Sequence, residues 1–249
     1  MARREAPPPA RALPELRLSF GNVAETYDRV RPPYSGVLLD RSQEALGLDA
    51  AARVLDLAAG TGRLTRELEA RFADVVAVEP DERMRALHGS ALPGSAEAIP
   101  LEGESVDAVF VGEAFHWFDT TAAFEELARV LRPRGGLAIV WTHWWETEPS
   151  LPERALELLS EPYERFAAQR NPTWEGRFDD SPFEPLRNER LEEAMVVEPD
   201  DLLELYSTTS SLAAIPREER EAIFEAVRPL LAGRYRLPLE HELTWTRLA

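Results

Sequence analysis

Cysteine is absent from the 249-residue sequence. Without it, the chain has no disulfides, no thiolate metal site and no thiol nucleophile. Long hydrophobic runs are absent too. The N-terminal stretch MARREAPPPARALPELRL has no apolar signal core, and no run has the length that spans a bilayer. These absences predict a cytoplasmic protein that makes no contact with membranes.

The sequence has few basic residues relative to acidic ones. Basic residues number 28 against 45 acidic ones, which gives a net charge of −17. A surface this acidic repels phosphate backbones, so we expect no nucleic-acid partner. His88, His143 and His241 are scattered along the chain and suggest no metal site. The length suffices for one domain with a substantial core.

Short apolar segments alternate with amphipathic ones through the first part of the chain. Helices are predicted between the apolar segments, including one entered from Gly62 and one capped by Asp119. This alternation is typical of an α/β fold with a doubly wound, mostly parallel sheet and helices on both faces. The apolar segments predict strands at 53–57, 75–80, 106–112 and 137–141.

The alternation stops after Trp145. We expect residues 1–19, rich in Pro and Arg, to form a disordered tail, and residues 20–249 to form the domain. Residues 146–188 are polar and proline-rich, with a helix predicted from Glu153 to Gln169. We interpret this segment as a lid inserted after the fifth strand and not as a core layer. Strands at 192–199 and 238–248 and helices at 200–206 and 217–231 complete the prediction.

The stretch VLDLAAGTGR joins a buried strand to a helix through a glycine turn. In doubly wound sheets, ligands bind outside the carboxyl ends of the strands, where this turn lies. Gly60 and Gly62 allow close backbone approach, and Glu79 follows about 20 residues on, as in dinucleotide-binding turns. A tight structural turn without a ligand is the alternative.

Two features depart from the dinucleotide pattern. Thr65 stands where a third glycine would pack, and the carboxylate of Asp56 would face a pyrophosphate with like charge. A cationic ligand without phosphate removes this conflict. S-adenosylmethionine has cations suited to Asp56, a ribose diol suited to Glu79 and a carboxylate suited to the start of the helix. We therefore predict S-adenosylmethionine as the cofactor.

The sequence resembles the class I S-adenosylmethionine-dependent methyltransferases over residues 20–145. VLDLAAGTGRLTREL looks like their first motif, with Ala58 where many members have glycine, and VVAVEPDERM looks like the second. GSAEAIPLEGESVDAVFVGEAFHWFD looks like the adenine-contacting and fourth-strand motifs, and RVLRPRGGLAIVW like the turn into the fifth strand. VAETYDRVRPPYS resembles the leading segment of a small-molecule subgroup that includes trans-aconitate-type methyltransferases. The resemblance implies a Rossmann-like sheet of seven strands.

The resemblance also implies roles for individual residues. Tyr27 and Arg31 would close over the methionine end of the cofactor, with a packing tyrosine and a solvated arginine as the alternatives. Glu79 would bond both ribose hydroxyls, and Glu113 would lie near the methionine part. The implied cofactor-binding residues are Tyr27, Arg31, Asp56, Ala58, Gly60, Gly62, Glu79, Pro80, Met84, Glu97, Ala98 and Glu113.

Methyl transfer is a direct displacement that needs alignment and exclusion of water, and only sometimes a base. His116 follows the fourth strand and is the candidate base, with an orienting or packing histidine as the alternative. Trp117, Trp144 and Trp145 are candidate walls of the acceptor pocket, with core packing as the alternative.

Three functions are weighed on these residues. The leading one is a methyltransferase that acts on a small-molecule acceptor, as a monomer or homodimer. A nicotinamide-dependent reductase is opposed by Asp56 and by the missing third glycine. A non-catalytic S-adenosylmethionine-binding module would have the same motifs without turnover.

Overall fold

A seven-stranded sheet forms the centre of the protein. The computed structural model describes residues 16, 18–144, 151–166 and 174–249. The strands are β1 Arg53–Leu57, β2 Asp74–Glu79, β3 Leu92–Pro93, β4 Val106–Gly112, β5 Leu131–His143, β6 Arg187–Val197 and β7 Tyr235–Arg247. Their order is β3-β2-β1-β4-β5-β7-β6, and β7 is antiparallel to both of its neighbours while the other pairs are parallel. The predicted doubly wound, mostly parallel sheet is confirmed.

Helices follow most of the strands along the chain. They are α1 Ala24–Val30, α2 Gly36–Ala45, α3 Arg63–Glu69, α4 Glu82–His88, α5 Thr120–Val130, α6 Glu153–Phe166, α7 Pro199–Ser207, α8 Ser210–Ala214 and α9 Arg217–Val227. Short 3-10 turns lie at Ser19–Val23, Phe115–Trp117, Glu175–Asp180 and Arg228–Leu230. None of the described helices combines the length and apolarity that crossing a membrane requires.

Helices cover both faces of the sheet because successive strand residues point to opposite sides. Leu55 and Val109 pack in one core cluster with residues of α5. Their neighbours Val54 and Phe110 pack in a second cluster with residues of α2 and α3. The central strands are therefore buried on both faces, which explains their continuous apolar sequence.

Two boundaries differ from the prediction. Asp119 occupies the position before α5, but its side chain makes no capping bond, so the predicted side-chain cap is wrong. Its backbone N–H donates instead to Glu97 Oε1 at 3.0 Å. The strand β5 begins at Leu131, directly after α5, and its pairing shifts from Val106–Leu131 to Ala108–Gly136. The intervening residues bulge from the sheet, so Pro133 lies in an irregular part of the strand.

The described parts of the predicted lid pack into the body of the protein. Leu151 and Leu159 join a third cluster that surrounds Trp144, while Trp174 and Phe178 are buried with the α5 side of the sheet. The expectation that this segment would form no core layer is wrong for these residues. Their apolar side chains recur at a spacing of about one helical turn, so they share one buried side of the segment. The lid role itself stays a prediction.

The N-terminal boundary also falls earlier than expected. Most of the predicted tail lies outside the described residues, but Leu16 is only 1% exposed and belongs to the first core cluster. The Ser19 hydroxyl donates to the Leu16 carbonyl at 2.8 Å. The folded part therefore includes residues that precede Phe20.

Candidate active site

A cleft opens at the carboxyl ends of β1, β2 and β4. This is the edge at which a doubly wound sheet binds its ligands. Ten predicted site residues line the cleft: Tyr27, Asp56, Ala58, Gly60, Glu79, Pro80, Met84, Glu97, Glu113 and Trp117. The sequence motifs and the topology thus point to the same place.

Glu79 ends β2 and is 6% exposed. Its Oε1 accepts a hydrogen bond from the backbone N–H of Asp81 at 2.8 Å, and its Oε2 accepts one from Gly60 at 2.9 Å. Burial raises the pKa of Glu79, and the two backbone bonds partly offset that rise. The carboxylate is therefore held in a fixed orientation at the wall of the cleft.

Asp56 lies in β1, is fully buried and also lines the cleft. Its Oδ2 accepts a hydrogen bond from the Thr65 hydroxyl at 2.5 Å. Its Oδ1 is buried and has no hydrogen-bond partner among the residues that the structure describes. Burial raises the pKa of Asp56 to about 7, the Thr65 bond lowers it, and the nearby negative charge of Glu79 raises it.

The turn after β1 needs backbone conformations that favour glycine. Gly60 and Gly62 have φ of +59° and +86°, and Ala58 has φ of +62°. The left-handed conformation explains why glycine is common at the position of Ala58 in the resembling motif. Gly62 does not line the cleft. A Cβ there would lie 2.9 Å from the His88 ring, so its role is to let the turn pack on α4.

The N-terminal segment closes one side of the cleft through Phe20 and Tyr27. Arg63, which starts α3, holds this segment by donating to the backbone carbonyls of Asp28 at 2.5 Å and Arg31 at 2.6 Å. The Arg31 side chain does not reach the cleft lining. It donates to the Thr208 hydroxyl at 2.8 Å and lies over the Tyr27 ring, 4.8 Å from its centroid. Arg31 therefore ties α1 to the end of α7.

Of the neighbouring residues Glu97 and Ala98, both predicted to bind the cofactor, only Glu97 lines the cleft. Ala98 is exposed, whereas Ser95 and Ala96 line the cleft beside Glu97. Ala98 instead exchanges backbone hydrogen bonds with Ser95, 3.1 and 3.3 Å long. Asp81 also lines the cleft, and the two-residue spacing from Glu79 was the sequence signal that would have indicated it.

Glu113 follows β4 with φ of +57°, an uncommon conformation for a residue with a side chain. Its Oε1 accepts a hydrogen bond from the backbone N–H of Thr142. Burial raises the pKa of Glu113, while the positive charge of Arg31 lowers it. Backbone strain of this kind collects at functional sites, in agreement with the position of Glu113 on the cleft wall.

His116 lies in the 3-10 turn after β4 and is half-buried. Its ring is 4.3 Å from that of Trp117, which lines the cleft, and 5.2 Å from that of Trp141. The structure places His116 next to the cleft wall and not in it. Its role as a base stays a prediction.

Trp144 is completely buried, away from the cleft lining. Its ring makes an edge-on contact with Tyr206, with centroids 5.2 Å apart, in the third cluster. This position favours the packing alternative over a pocket wall. Trp145 lies outside the described residues.

One group of potential metal ligands occurs among the described residues. His143, Glu240 and Glu242 place their ligand atoms within 4.8 Å of one another. Arg190 pairs with Glu240 at 3.2 Å and with Glu242 at 3.0 Å, so one guanidinium offsets part of the negative charge of the two carboxylates. The group therefore belongs to an ion-pair cluster that extends across β5, β7 and β6.

Several residues that line the cleft were not singled out from the sequence. Tyr34, Thr61, Leu64 and Gly112 are among them. They come from segments whose local pattern indicates only packing or turns. Their position at the site follows from the way the strands and helices are assembled.

Comparisons with known proteins agree with this geometry. A family model described as a methyltransferase domain matches residues 55–139. An uncharacterized methyltransferase of Mycobacterium tuberculosis is 37% identical over 224 residues, which cover 88% of this chain and 87% of the relative. The malonyl-[acyl-carrier protein] O-methyltransferase of Methylococcus capsulatus is 39% identical over 142 residues, covering 50% of this chain and 51% of that protein.

Among solved structures, a protein from Anaeromyxobacter dehalogenans, proposed to be a type II methyltransferase, has a TM-score of 0.62 at 24% identity. The similarity covers 88% of this chain and 98% of that one. The chain therefore belongs to the methyltransferase family, in its class I S-adenosylmethionine-dependent group. This assignment leaves the nicotinamide-dependent reductase without support.

Proposed function

We propose that the protein binds S-adenosylmethionine in this cleft and transfers its methyl group to a small-molecule acceptor. The observation that carries the cofactor assignment is Asp56 Oδ1, a buried oxygen at the cleft wall without a partner among the described residues. A buried carboxylate is costly unless a cation compensates it. A ligand with a positive charge at this point would supply that compensation.

The remaining charges of the cleft favour the same kind of ligand. Arg63 lines the cleft, but its guanidinium is engaged by backbone carbonyls of the N-terminal segment. A pyrophosphate would therefore meet a mostly negative wall, whereas a ligand without phosphate would not. The carboxylates on the wall are Asp56, Glu79, Asp81, Glu97 and Glu113.

The residues present fit the parts of S-adenosylmethionine, which when bound supplies an activated methyl group on a sulfonium. Glu79 uses one acceptor position on each oxygen for a backbone N–H, and the remaining lone pairs suit two ribose hydroxyls. Asp56 suits the cationic methionine end. His116, beside the cleft wall, would accept the proton of an acceptor that needs deprotonation.

Carboxylic acids are the first acceptors to test. The leading segment resembles trans-aconitate-type methyltransferases, and one relative is named for O-methylation of a malonyl group. The experiment incubates the protein with methyl-labelled S-adenosylmethionine and a panel of small mono-, di- and tricarboxylic acids, beside phenols and amines. Labelled product from one class defines the acceptor. The outcome that would favour the non-catalytic module is cofactor binding without any methyl transfer, either to the compounds of the panel or to the components of a whole metabolite extract.

A further inference from the structure

Three side chains from three elements form a hydrogen-bonded chain that ends at the cleft. Thr65 of α3 donates to Asp56 Oδ2 at 2.5 Å, and the same Thr65 oxygen lies 2.9 Å from His88 Nε2 at the end of α4. Asp56 and Thr65 are 0% and 3% exposed, whereas His88 is half-buried. The chain therefore connects the floor of the cleft with the outer side of α4.

The hydrogen bonds of the chain have one consistent direction. The backbone N–H of Ser90 donates to His88 Nδ1 at 3.4 Å, so Nδ1 is the acceptor nitrogen of the ring. Burial lowers the pKa of His88, which favours a neutral ring, and the Ser90 hydrogen bond to Nδ1 then favours the tautomer with its hydrogen on Nε2. Nε2 then donates to the Thr65 oxygen, and the single hydroxyl hydrogen of Thr65 is left for Asp56.

The glycine at position 62 leaves room for the His88 ring of this hydrogen-bonded chain. Gly62 packs against the His88 ring so closely that a Cβ would lie 2.9 Å from Cδ2. The ring thus packs against the turn after β1. This contact limits the movement of the ring and helps to keep Nε2 within hydrogen-bond distance of the Thr65 hydroxyl.

We propose that Thr65 and His88 are positioning residues for Asp56, which hold its Oδ2 in a hydrogen bond and direct its Oδ1 at the cationic end of the cofactor. The proposal rests on the proposed function, because it takes S-adenosylmethionine as the ligand. Since the Thr65 hydroxyl donates to the carboxylate, it favours the ionised form of Asp56. His88 strengthens that donor by hydrogen bonding to the hydroxyl oxygen.

Other charged groups act on the chain and must be included in a pH profile. Asp56 faces Glu79 of β2, and its charge also influences the nearby phenol of Tyr34. His88 is influenced by Glu69 and Arg66, both on α3. None of these four side chains is hydrogen-bonded to Thr65 among the described contacts. Substitutions at Thr65 and His88 therefore change the hydrogen-bonded chain without removing any of these four groups.

The test pairs a disruptive with a conservative variant at each position. Thr65→Val removes the hydroxyl and keeps the shape, while Thr65→Ser keeps the hydroxyl. His88→Leu removes the donor nitrogen, while His88→Gln keeps a donor near the position of Nε2. Dissociation constants for S-adenosylmethionine are measured by calorimetry between about pH 5 and 8, and the Asp56 carboxyl is titrated by carbon NMR without ligand.

We expect Thr65→Val to weaken cofactor binding about tenfold or more near pH 7 and to move the Asp56 titration to higher pH. His88→Leu should act in the same direction but less strongly, and Thr65→Ser and His88→Gln should stay close to wild type. Should Thr65→Val not fold, the two His88 variants carry the test. Wild-type affinity and an unchanged Asp56 titration in the disruptive variants would overturn the proposal.

The two measurements separate this proposal from the proposed function. If the wild-type protein binds no S-adenosylmethionine at any pH, the proposed function fails, whatever the NMR titration shows. If it binds the cofactor but Asp56 titrates alike in all variants, the positioning role alone fails.

Discussion

Glu79 Oε2 accepts a hydrogen bond from the backbone N–H of Gly60 at 2.9 Å, which ties the end of β2 to the turn after β1. Its other oxygen accepts from the N–H of Asp81 at 2.8 Å. One carboxylate thus orients two loops of the cleft before a ligand arrives. Glu79 therefore helps to set the shape of this part of the cleft.

Glu79→Gln should weaken cofactor binding about 10- to 150-fold, because hydrogen bonds to a charged group contribute about 1.5–3 kcal/mol. Calorimetric titration of S-adenosylmethionine measures the effect. Glu82→Gln, on the exposed side of α4, is the matched control and should bind as the wild type does. An unchanged dissociation constant in a folded Glu79→Gln protein would remove Glu79 as the ribose ligand.

Asp56→Asn should make stability less dependent on pH. The Asp56 pKa is raised from 3.8 to about 7 in the folded protein, so the folded state holds this proton more tightly than the unfolded chain does. The stabilisation that this tightly held proton gives the folded protein is complete below about pH 4 and is lost as the pH rises to about 7. The variant does not undergo this loss. Its free energy of unfolding should therefore rise relative to that of wild type by up to about 4 kcal/mol between these pH values.

Urea unfolding of Asp56→Asn and wild type at about pH 5 and pH 8 checks this expectation. The same variant should lose cofactor affinity, because it removes the charge that faces the cation. A stability difference that stays constant with pH would show that Asp56 does not titrate in this range.

Gly62→Ala should destabilise the protein by more than Gly89→Ala. Both residues have positive φ, of +86° and +82°, but only at Gly62 would the new Cβ meet the His88 ring. The left-handed backbone costs about 1–2 kcal/mol at either position. The additional loss at Gly62 measures the contact with His88. Equal free energies of unfolding for the two variants would show that the ring yields without cost.

Trp144→Ala should reduce the free energy of unfolding by about 3–5 kcal/mol, because a fully buried aromatic side chain leaves a cavity. Val196→Ala, at a residue that is 53% exposed, is the control and should change stability little. A small loss of stability together with a raised KM for the acceptor would contradict the packing role and support Trp144 as a wall of the acceptor pocket.

His116→Ala should reduce turnover about 10²- to 10⁴-fold if the histidine is the general base. Cofactor affinity should hold, since His116 lies outside the cleft lining. Rates at several pH values, once an acceptor is known, check the assignment. A loss smaller than about threefold would reduce His116 to a packing role.

The central sheet was predictable because its strands carry strong local signals. The buried runs of β1, β2 and β4 are bounded by turn residues, and their predicted ends agree with the structure to within a residue. The two-residue strand β3 and the short helix α8 were missed, since neither is long enough to show a period.

The site was predictable where a motif fixes the backbone and less so elsewhere. Asp56 and Glu79 lie at strand ends, so topology alone places them at the cleft. Arg31, Ala98 and Trp144 were misplaced because their surroundings depend on tertiary packing: Arg31 bonds Thr208, 177 residues away in the chain. The hydrogen bonds that link Asp56, Thr65 and His88 join three separate elements and have no local sequence signature.

Calorimetric titration of the wild-type protein with S-adenosylmethionine, S-adenosylhomocysteine and a nicotinamide dinucleotide tests the central claim most directly. The cleft wall carries several carboxylates, and one of them, Asp56, has a buried oxygen without a hydrogen-bond partner in the described part of the protein. We therefore expect both adenosyl ligands to bind and the dinucleotide to give no binding heat. Tight binding of the dinucleotide with no response to S-adenosylmethionine would contradict the account.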